Sequence, residues 1–326
     1  MSLLLRTEED YENLLGQWSD LEASLGVILA HPSSAQEFEA RLYQYGRWMQ
    51  DLVAHDANLA LYLLFQLAVQ SPVGYSASHA LACAVLCHLI GPKFALNTHE
   101  CNSLELAALT MNVAMTEMQD QLATQLDKPN REQQAAIHSH AALGAALLQE
   151  LGIHNSLWMR TVELHHQDID PATPLAELTP PHRLAHILQV VDRYAAMISP
   201  RQSREGRSAA ESAQSLLGHS ASAPNPVGQA LVALVGNYPP GTYVQLEDDK
   251  VAVVLRPDAQ LGQPDVAIVL NSRGDVLRPP TLHRTSMGSP RIKTALSASK
   301  IQERLNHHLI LQLGLSAAPA SLWSPG

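Results

Sequence analysis

The chain has only three cysteines among its 326 residues, too few for the disulfide framework of a small secreted protein. Cys83, Cys87 and Cys101 are therefore expected to be free thiols in a reducing compartment. Apolar runs long enough to span a bilayer are also lacking, because the longest, such as 59–69, are short and contain polar residues. Residues 1–10 turn acidic too early for a signal peptide. These absences predict a cytoplasmic protein with no membrane span.

Aromatic residues make up only 5% of the chain, and none stands between the basic residues of its C-terminal segment. Residues 271–326 hold seven Lys or Arg and two acidic residues, so this segment carries +5 while the whole chain carries −10. Without interleaved aromatics the segment does not have the pattern of a nucleic-acid platform, and no nucleic acid is expected as a partner. It is either a solvated surface or a segment that docks on the acidic remainder of the chain or on an anionic partner.

A content of 46% hydrophobic and 16% charged residues is typical of a soluble protein with a large core, and the length favours more than one domain. The pattern predicts a mainly α protein: a helical bundle preceded by an N-terminal helical module and followed by a small antiparallel β extension. We expect the N-terminal helices to form a homodimer or to receive a signal. The predicted parts are 1–71 (helical module), 72–235 (bundle), 236–282 (β extension) and 283–326 (basic tail with a helix).

Helix boundaries in the bundle are marked by capping residues. Asn130 and Gln133 have the spacing of a capping box, which predicts a helix that begins there, and Gly152 is expected to end that helix. Pro180 and Pro181 follow Thr179 and predict the start of another helix.

Imidazoles and one carboxylate recur on segments whose apolar spacing is helical. Imidazole and carboxylate are the ligands that hydrolytic metal sites use, so these side chains are candidates for a metal centre. A single histidine on a helix is more often a surface or core residue, and His138 and His186 are interpreted in that way. The candidate ligands are His79, His140, His165, His166 and Asp192.

The order and local context of these five residues resemble the HD-GYP branch of the HD phosphohydrolases. The resemblance covers about residues 72–280 and includes the run Tyr-Pro-Pro-Gly-Thr at 238–242, which is similar to a β extension found at the C-terminus of many members. It implies a helical HD-domain bundle. It also implies the family's activity, which is hydrolysis of cyclic di-GMP at a centre of two or three metal ions.

The chain departs from the family at the dyad that gives the family its name. Where the family has Leu-His-Asp-Ile-Gly-Lys, this chain reads Thr-Met-Asn-Val-Ala-Met, so Met111 replaces the histidine and Asn112 replaces the metal-bridging aspartate. The lysine expected to contact substrate phosphate is Met115. The Asp-Gly-x-Gly-Tyr-Pro loop corresponds to 168–174, which lacks both glycines and the tyrosine, and Tyr75 stands where some members have a glutamate for a third metal.

The resemblance implies a ligand set with alternatives. Three of the histidines, with the amide of Asn112, would bind one divalent ion such as Zn, Fe or Mn, while His79 and Asp192 would serve a second, weaker position. That no metal binds is the other alternative. Arg201 and Arg204 parallel the family's Arg-Pro-Tyr-Arg and are either phosphate contacts or part of a surface turn.

Two functions follow as alternatives. The first is a catalytically impaired HD-GYP-like regulatory module that binds a cyclic dinucleotide or a protein signalling partner. The second is a residual metal-dependent phosphodiesterase that hydrolyses cyclic di-GMP or a related phosphoester. The first is favoured because fold does not carry function when the site is altered.

Overall fold

The computed structural model describes residues 8–70, 74–170, 173–198, 225–257, 263–296 and 305–316, with 212, 215, 300, 301 and 303 as isolated positions. The chain divides into two compact units. The first comprises 1–57 and 71–189, and the second comprises 58–70 and 190–326. This division differs from the four parts expected from the sequence, whose boundaries as domains stay a prediction.

The described residues are mainly helical, as predicted, with an antiparallel sheet near the C-terminus. The helices are α1 (Glu8–Ala30), α2 (Phe38–His55), α3 (Ala57–Gln70), α4 (Tyr75–Ile90), α5 (Thr98–Thr110), α6 (Thr116–Thr124), α7 (Arg131–Glu150), α8 (Ser156–Leu164), α9 (Pro180–Ile198), α10 (Pro226–Val235) and α11 (His307–Ser316). The strands are β1 (Tyr243–Leu246), β2 (Val251–Arg256), β3 (Asp265–Leu270), β4 (Val276–Arg284) and β5 (Ile292–Leu296).

The helix boundaries that the capping residues predicted are confirmed. The capping box at Asn130 is complete, because its side chain accepts from the main-chain N–H of Gln133 and the Gln133 side chain accepts from that of Asn130. Gly152 follows α7 with a φ of 80°, a left-handed conformation that glycine adopts without steric cost. Helix α9 begins at Pro180, a position where a main-chain N–H would have no acceptor within the helix, so proline's missing N–H costs no hydrogen bond.

Helix α4 is the central helix of the first unit. It contacts α1, α2, α5 and α6, and nearly all of its side chains are buried. The segment Tyr75–Phe94 is long and apolar enough to cross a membrane by length and composition, but 72% of its apolar 18-residue window is buried inside the protein. Such burial is typical of a core helix, and it agrees with the expectation that the chain has no membrane span.

The second unit contains a five-stranded antiparallel sheet in the order β4-β3-β2-β1-β5. Val244 pairs with Ala252, and Val254 pairs with Val266, so these side chains fall on one face and form a fully buried cluster. Helix α11 packs against β2, β3 and β4. The sequence predicted a small β extension, and the sheet is larger than that, because its five strands run from Tyr243 to Leu296.

A buried tyrosine in the second unit provides a stability prediction. Tyr194 is fully buried, packs edge-on against Phe65 with ring centroids 6.4 Å apart, and its hydroxyl has no hydrogen-bond partner among the described residues. Burial strongly raises the pKa of this hydroxyl. Tyr194→Phe removes an uncompensated buried hydroxyl, so we expect thermal unfolding to show unchanged stability or a gain of up to about 1 kcal/mol.

The matched control for this prediction is Tyr62→Phe, because the Tyr62 hydroxyl lies 2.9 Å from Nδ1 of His307. This variant removes a made hydrogen bond and should lose about 1 kcal/mol. A loss of stability in Tyr194→Phe as large as in Tyr62→Phe would contradict the prediction.

Candidate metal centre

The first candidate ligand, His140, lies in the middle of α7 with a 3% exposed side chain. Its Nδ1 is 2.5 Å from the carbonyl oxygen of Ile137, one helical turn earlier. A carbonyl oxygen only accepts hydrogen bonds, so Nδ1 carries the proton. In the neutral ring, Nε2 then presents a lone pair.

His165 comes directly after α8 and repeats the same local arrangement. Its side chain is 1% exposed, and its Nδ1 lies 2.6 Å from the carbonyl oxygen of Val162, again one turn earlier. Metal-ligating histidines commonly donate the other ring N–H to a carbonyl oxygen or carboxylate, which fixes the tautomer and the ring orientation. Both rings therefore have the support that a ligand needs. These carbonyl acceptors were not predicted from the sequence, although the spacing of three residues on a helix is a signal for them.

Helix α8 is held in place at its start and along its buried face. Asn155 caps it by accepting from the main-chain N–H of Trp158 at 3.0 Å, and its side-chain amide donates to the hydroxyl of Ser103 at 3.0 Å. Trp158 is fully buried and donates from Nε1 to Oγ1 of Thr110 at 2.8 Å. Because Thr110 ends α5, this bond ties α8, and with it His165, to the turn that follows α5.

Three imidazoles converge where α7 and α8 meet. Nε2 of His140 and Nε2 of His165 are 3.2 Å apart, and the ring of His166 lies 5.0 Å from that of His140 and 4.1 Å from that of His165. One nitrogen from each ring falls within 4.8 Å of the others. His140 and His165 are buried while His166 is exposed, so the group lies at the edge of the core with access from solvent.

This geometry favours a cation. With both Nδ1 atoms donating to carbonyl oxygens, the neutral rings of His140 and His165 would face each other through two Nε2 lone pairs at 3.2 Å. That contact is repulsive unless a proton or a metal ion lies near both nitrogens. A divalent transition metal fits the donor set, since imidazole nitrogen is its common protein ligand.

Met111 and Asn112 follow α5, close to the helices that carry these imidazoles. Met111 is 1% exposed, and Asn112 is half-buried in the turn that joins α5 to a short 3-10 helix at Val113–Met115. This 3-10 helix contacts α7. Gly144, one turn after His140, faces this segment: a Cβ there would be in ordinary van der Waals contact with the carbonyl oxygen of Met111 at 3.7 Å and with a methyl of Val162 at 3.4 Å.

His79 is not in this group of three. It is buried in α4, its ring stacks on that of Tyr75 at 5.3 Å, and its Nε2 lies 3.7 Å from the sulfur of Cys83. The position expected to hold a third-metal glutamate in some HD-GYP proteins therefore carries an aromatic ring stacked on His79. The role of His79 as a ligand stays a prediction.

The remaining predicted site residues have different positions. Asp192 lies on α9 in the part that belongs to the second unit, and its role as a ligand stays a prediction. Arg201 and Arg204 lie outside the described residues. His138, interpreted as structural or exposed, is exposed on α7, and burial lowers the pKa of His186.

The chain has a distant structural similarity to a known protein. No family model matches the chain, and no curated protein matches it. A solved structure that matches is that of Bd1817, described as an HDG"Y"P protein from Bdellovibrio bacteriovorus, with 14% identity and a TM-score of 0.49. The match covers 71% of this chain and 73% of that chain. The interpretation of the site therefore depends on the geometry of its own residues.

Proposed function

We propose that the chain is a degenerate HD-GYP-like regulatory module in cyclic-dinucleotide signalling that binds its ligand without cleaving it. The observation that supports this is the convergence of His140, His165 and His166. In the sequence, Met111 and Asn112 stand where the family that the chain resembles has its His-Asp dyad. The three imidazoles would hold one divalent transition metal. The bound ion would supply positive charge for a phosphate group or another anionic ligand.

The loss of catalysis follows from charge. A bridging carboxylate holds two dications side by side because it is anionic, whereas the amide of Asn112 is neutral. The lysine that would contact phosphate is replaced by the uncharged Met115. One oriented electrostatic group is worth about a hundredfold or more in rate, so losing two should lower turnover by several orders of magnitude.

The ligand is proposed to be a cyclic dinucleotide or a protein signalling partner. Exposed His166 provides access to the ion from solvent, and Arg201 and Arg204 would contact phosphate. The N-terminal helices would form a homodimer, and the protein would act in the cytoplasm.

The direct test is a hydrolysis assay on cyclic di-GMP. Purified protein, loaded in turn with manganese and with iron, should show no multiple turnover, because the bridging carboxylate and the lysine are absent. Calorimetry in the presence and absence of metal should show binding of cyclic di-GMP or a related nucleotide, or a pull-down should recover a protein partner.

The matched control separates the site from its surroundings. His138→Ala removes an exposed histidine from α7, two residues before His140, and should change neither ligand binding nor the result of the hydrolysis assay. Multiple turnovers that persist in His138→Ala and disappear in His165→Ala/His166→Ala would overturn the proposal and establish the residual phosphodiesterase instead.

A further inference from the structure

We infer that this centre holds a single ion of the zinc type and discriminates against manganese and magnesium, a conclusion that rests on the proposed metal-binding role of His140, His165 and His166. The chemistry of the donors carries the inference. Each of the three contributes one neutral nitrogen, and the group that they form among the described residues, with ligand atoms within 4.8 Å of one another, contains no carboxylate.

The donor set decides which metal binds. Imidazole nitrogen suits zinc, copper, nickel and iron, whereas manganese and magnesium prefer carboxylate, carbonyl and water oxygen. Affinity at a given nitrogen site also rises from manganese towards copper and zinc in the Irving–Williams order. Three histidine nitrogens with one open position are a donor set that zinc adopts in proteins.

The number of ions follows from charge. Two dications close together repel each other strongly unless an anionic ligand lies between them. The residue at the bridging position is Asn112, and its neighbour Met111 is buried with a side chain that is a poor ligand for a hard cation. The centre therefore has donors for one ion and lacks the carboxylate that would hold a second ion beside it.

The local hydrogen bonds strengthen binding of this one ion. Nδ1 of His140 and Nδ1 of His165 each donate to the carbonyl oxygen three residues earlier, at 2.5 Å and 2.6 Å. Such bonds fix the rings before the metal arrives and raise the basicity of the ligating nitrogens, and their loss typically lowers metal affinity by about 10- to 100-fold.

The experiment is a metal titration of the full chain after chelator treatment. Isothermal calorimetry with zinc, cobalt, manganese and magnesium should give one zinc per chain, bound at least about a hundredfold more tightly than manganese, as the ligand preferences require. Bound cobalt should have a low coordination number, which its visible absorption spectrum reports. Neither readout depends on catalytic activity.

Variants locate the site. His166→Ala removes an exposed ring, leaves the core intact, and should weaken zinc binding by at least about tenfold, whereas His138→Ala should leave it unchanged. Asn112→Asp supplies the missing charge and should raise manganese affinity by about tenfold or more relative to wild type. Circular dichroism confirms that each variant is folded.

The outcomes also separate this inference from the proposed function. A second zinc ion that is lost together with the first in His166→Ala, manganese bound as tightly as zinc, or zinc binding that is indifferent to His166→Ala would each overturn the inference. Turnover of cyclic di-GMP by a chain that holds one zinc-type ion would overturn the proposed function and leave the inference standing.

Discussion

Trp158→Ala is expected to lower the free energy of unfolding of the first unit by about 3–5 kcal/mol, the usual cost of truncating a fully buried tryptophan. Trp158 is 0% exposed, and its ring packs edge-on against Tyr43 with centroids 6.4 Å apart. The variant also leaves Oγ1 of Thr110 without the 2.8 Å donor on the indole ring. Urea unfolding followed by circular dichroism measures the loss.

Trp158→Ala should also weaken metal binding, because His165 directly follows α8. Trp158→Phe is the matched control: it keeps an aromatic ring in the core but removes the indole N–H, so it should lose about 1–3 kcal/mol. Zinc affinity should fall in Trp158→Ala more than in Trp158→Phe, since only the first frees α8 from its packing. Equal stability of wild type and Trp158→Ala would show that the tryptophan is not a core anchor.

Much of the helical framework could be predicted from sequence because its signals are local. The capping box at Asn130, the glycine at 152 and the proline at 180 each act within one turn, and each marks a helix boundary in the structure. The convergence of His140 with His165 was expected only through the resemblance of their order to a known family. Local spacing alone does not bring two residues together when they are 25 positions apart.

The size of the sheet could not be predicted from the same signals. Strand β5 is short and partly exposed, and it follows a segment rich in basic residues, so its sequence has little of the apolar alternation that identifies a strand. It forms because β1 offers it an edge, with Val244 paired to Ala295. Such pairing is a property of the folded sheet rather than of residues 292–296.

Buried polar contacts between distant residues could not be predicted from the sequence either. Glu105 is 3% exposed, and its carboxylate accepts from the side-chain amide of Gln50 at 2.6 Å and contacts Nδ1 of His88 at 2.9 Å. These three residues come from α5, α2 and α4, so the tertiary structure alone brings them together. A buried carboxylate without such partners would be strongly destabilising. These contacts therefore favour the packing of α2, α4 and α5 that brings the three side chains together.

Gly74→Ala is expected to destabilise the first unit by about 2–4 kcal/mol, because backbone strain and a steric conflict add at one position. Gly74 precedes α4 with φ 141° and ψ 161°, a region that is essentially open to glycine alone. A Cβ at this position would lie 3.0 Å from a carboxylate oxygen of Asp120. The same carboxylate accepts from the main-chain N–H and the hydroxyl of Ser76 at 2.7 Å and 2.8 Å, and so caps the helix that carries His79.

Gly152→Ala is the matched control, since Gly152 also has a positive φ, 80°, but a Cβ there would meet nothing within 4 Å. It should cost only about 1 kcal/mol, the strain of a left-handed residue without a clash. The difference between the two variants in urea unfolding therefore measures the close approach of Asp120 to Gly74. If the two glycines prove equally tolerant of alanine, Asp120 moves aside at little cost. The start of α4 would then be held by something other than this carboxylate.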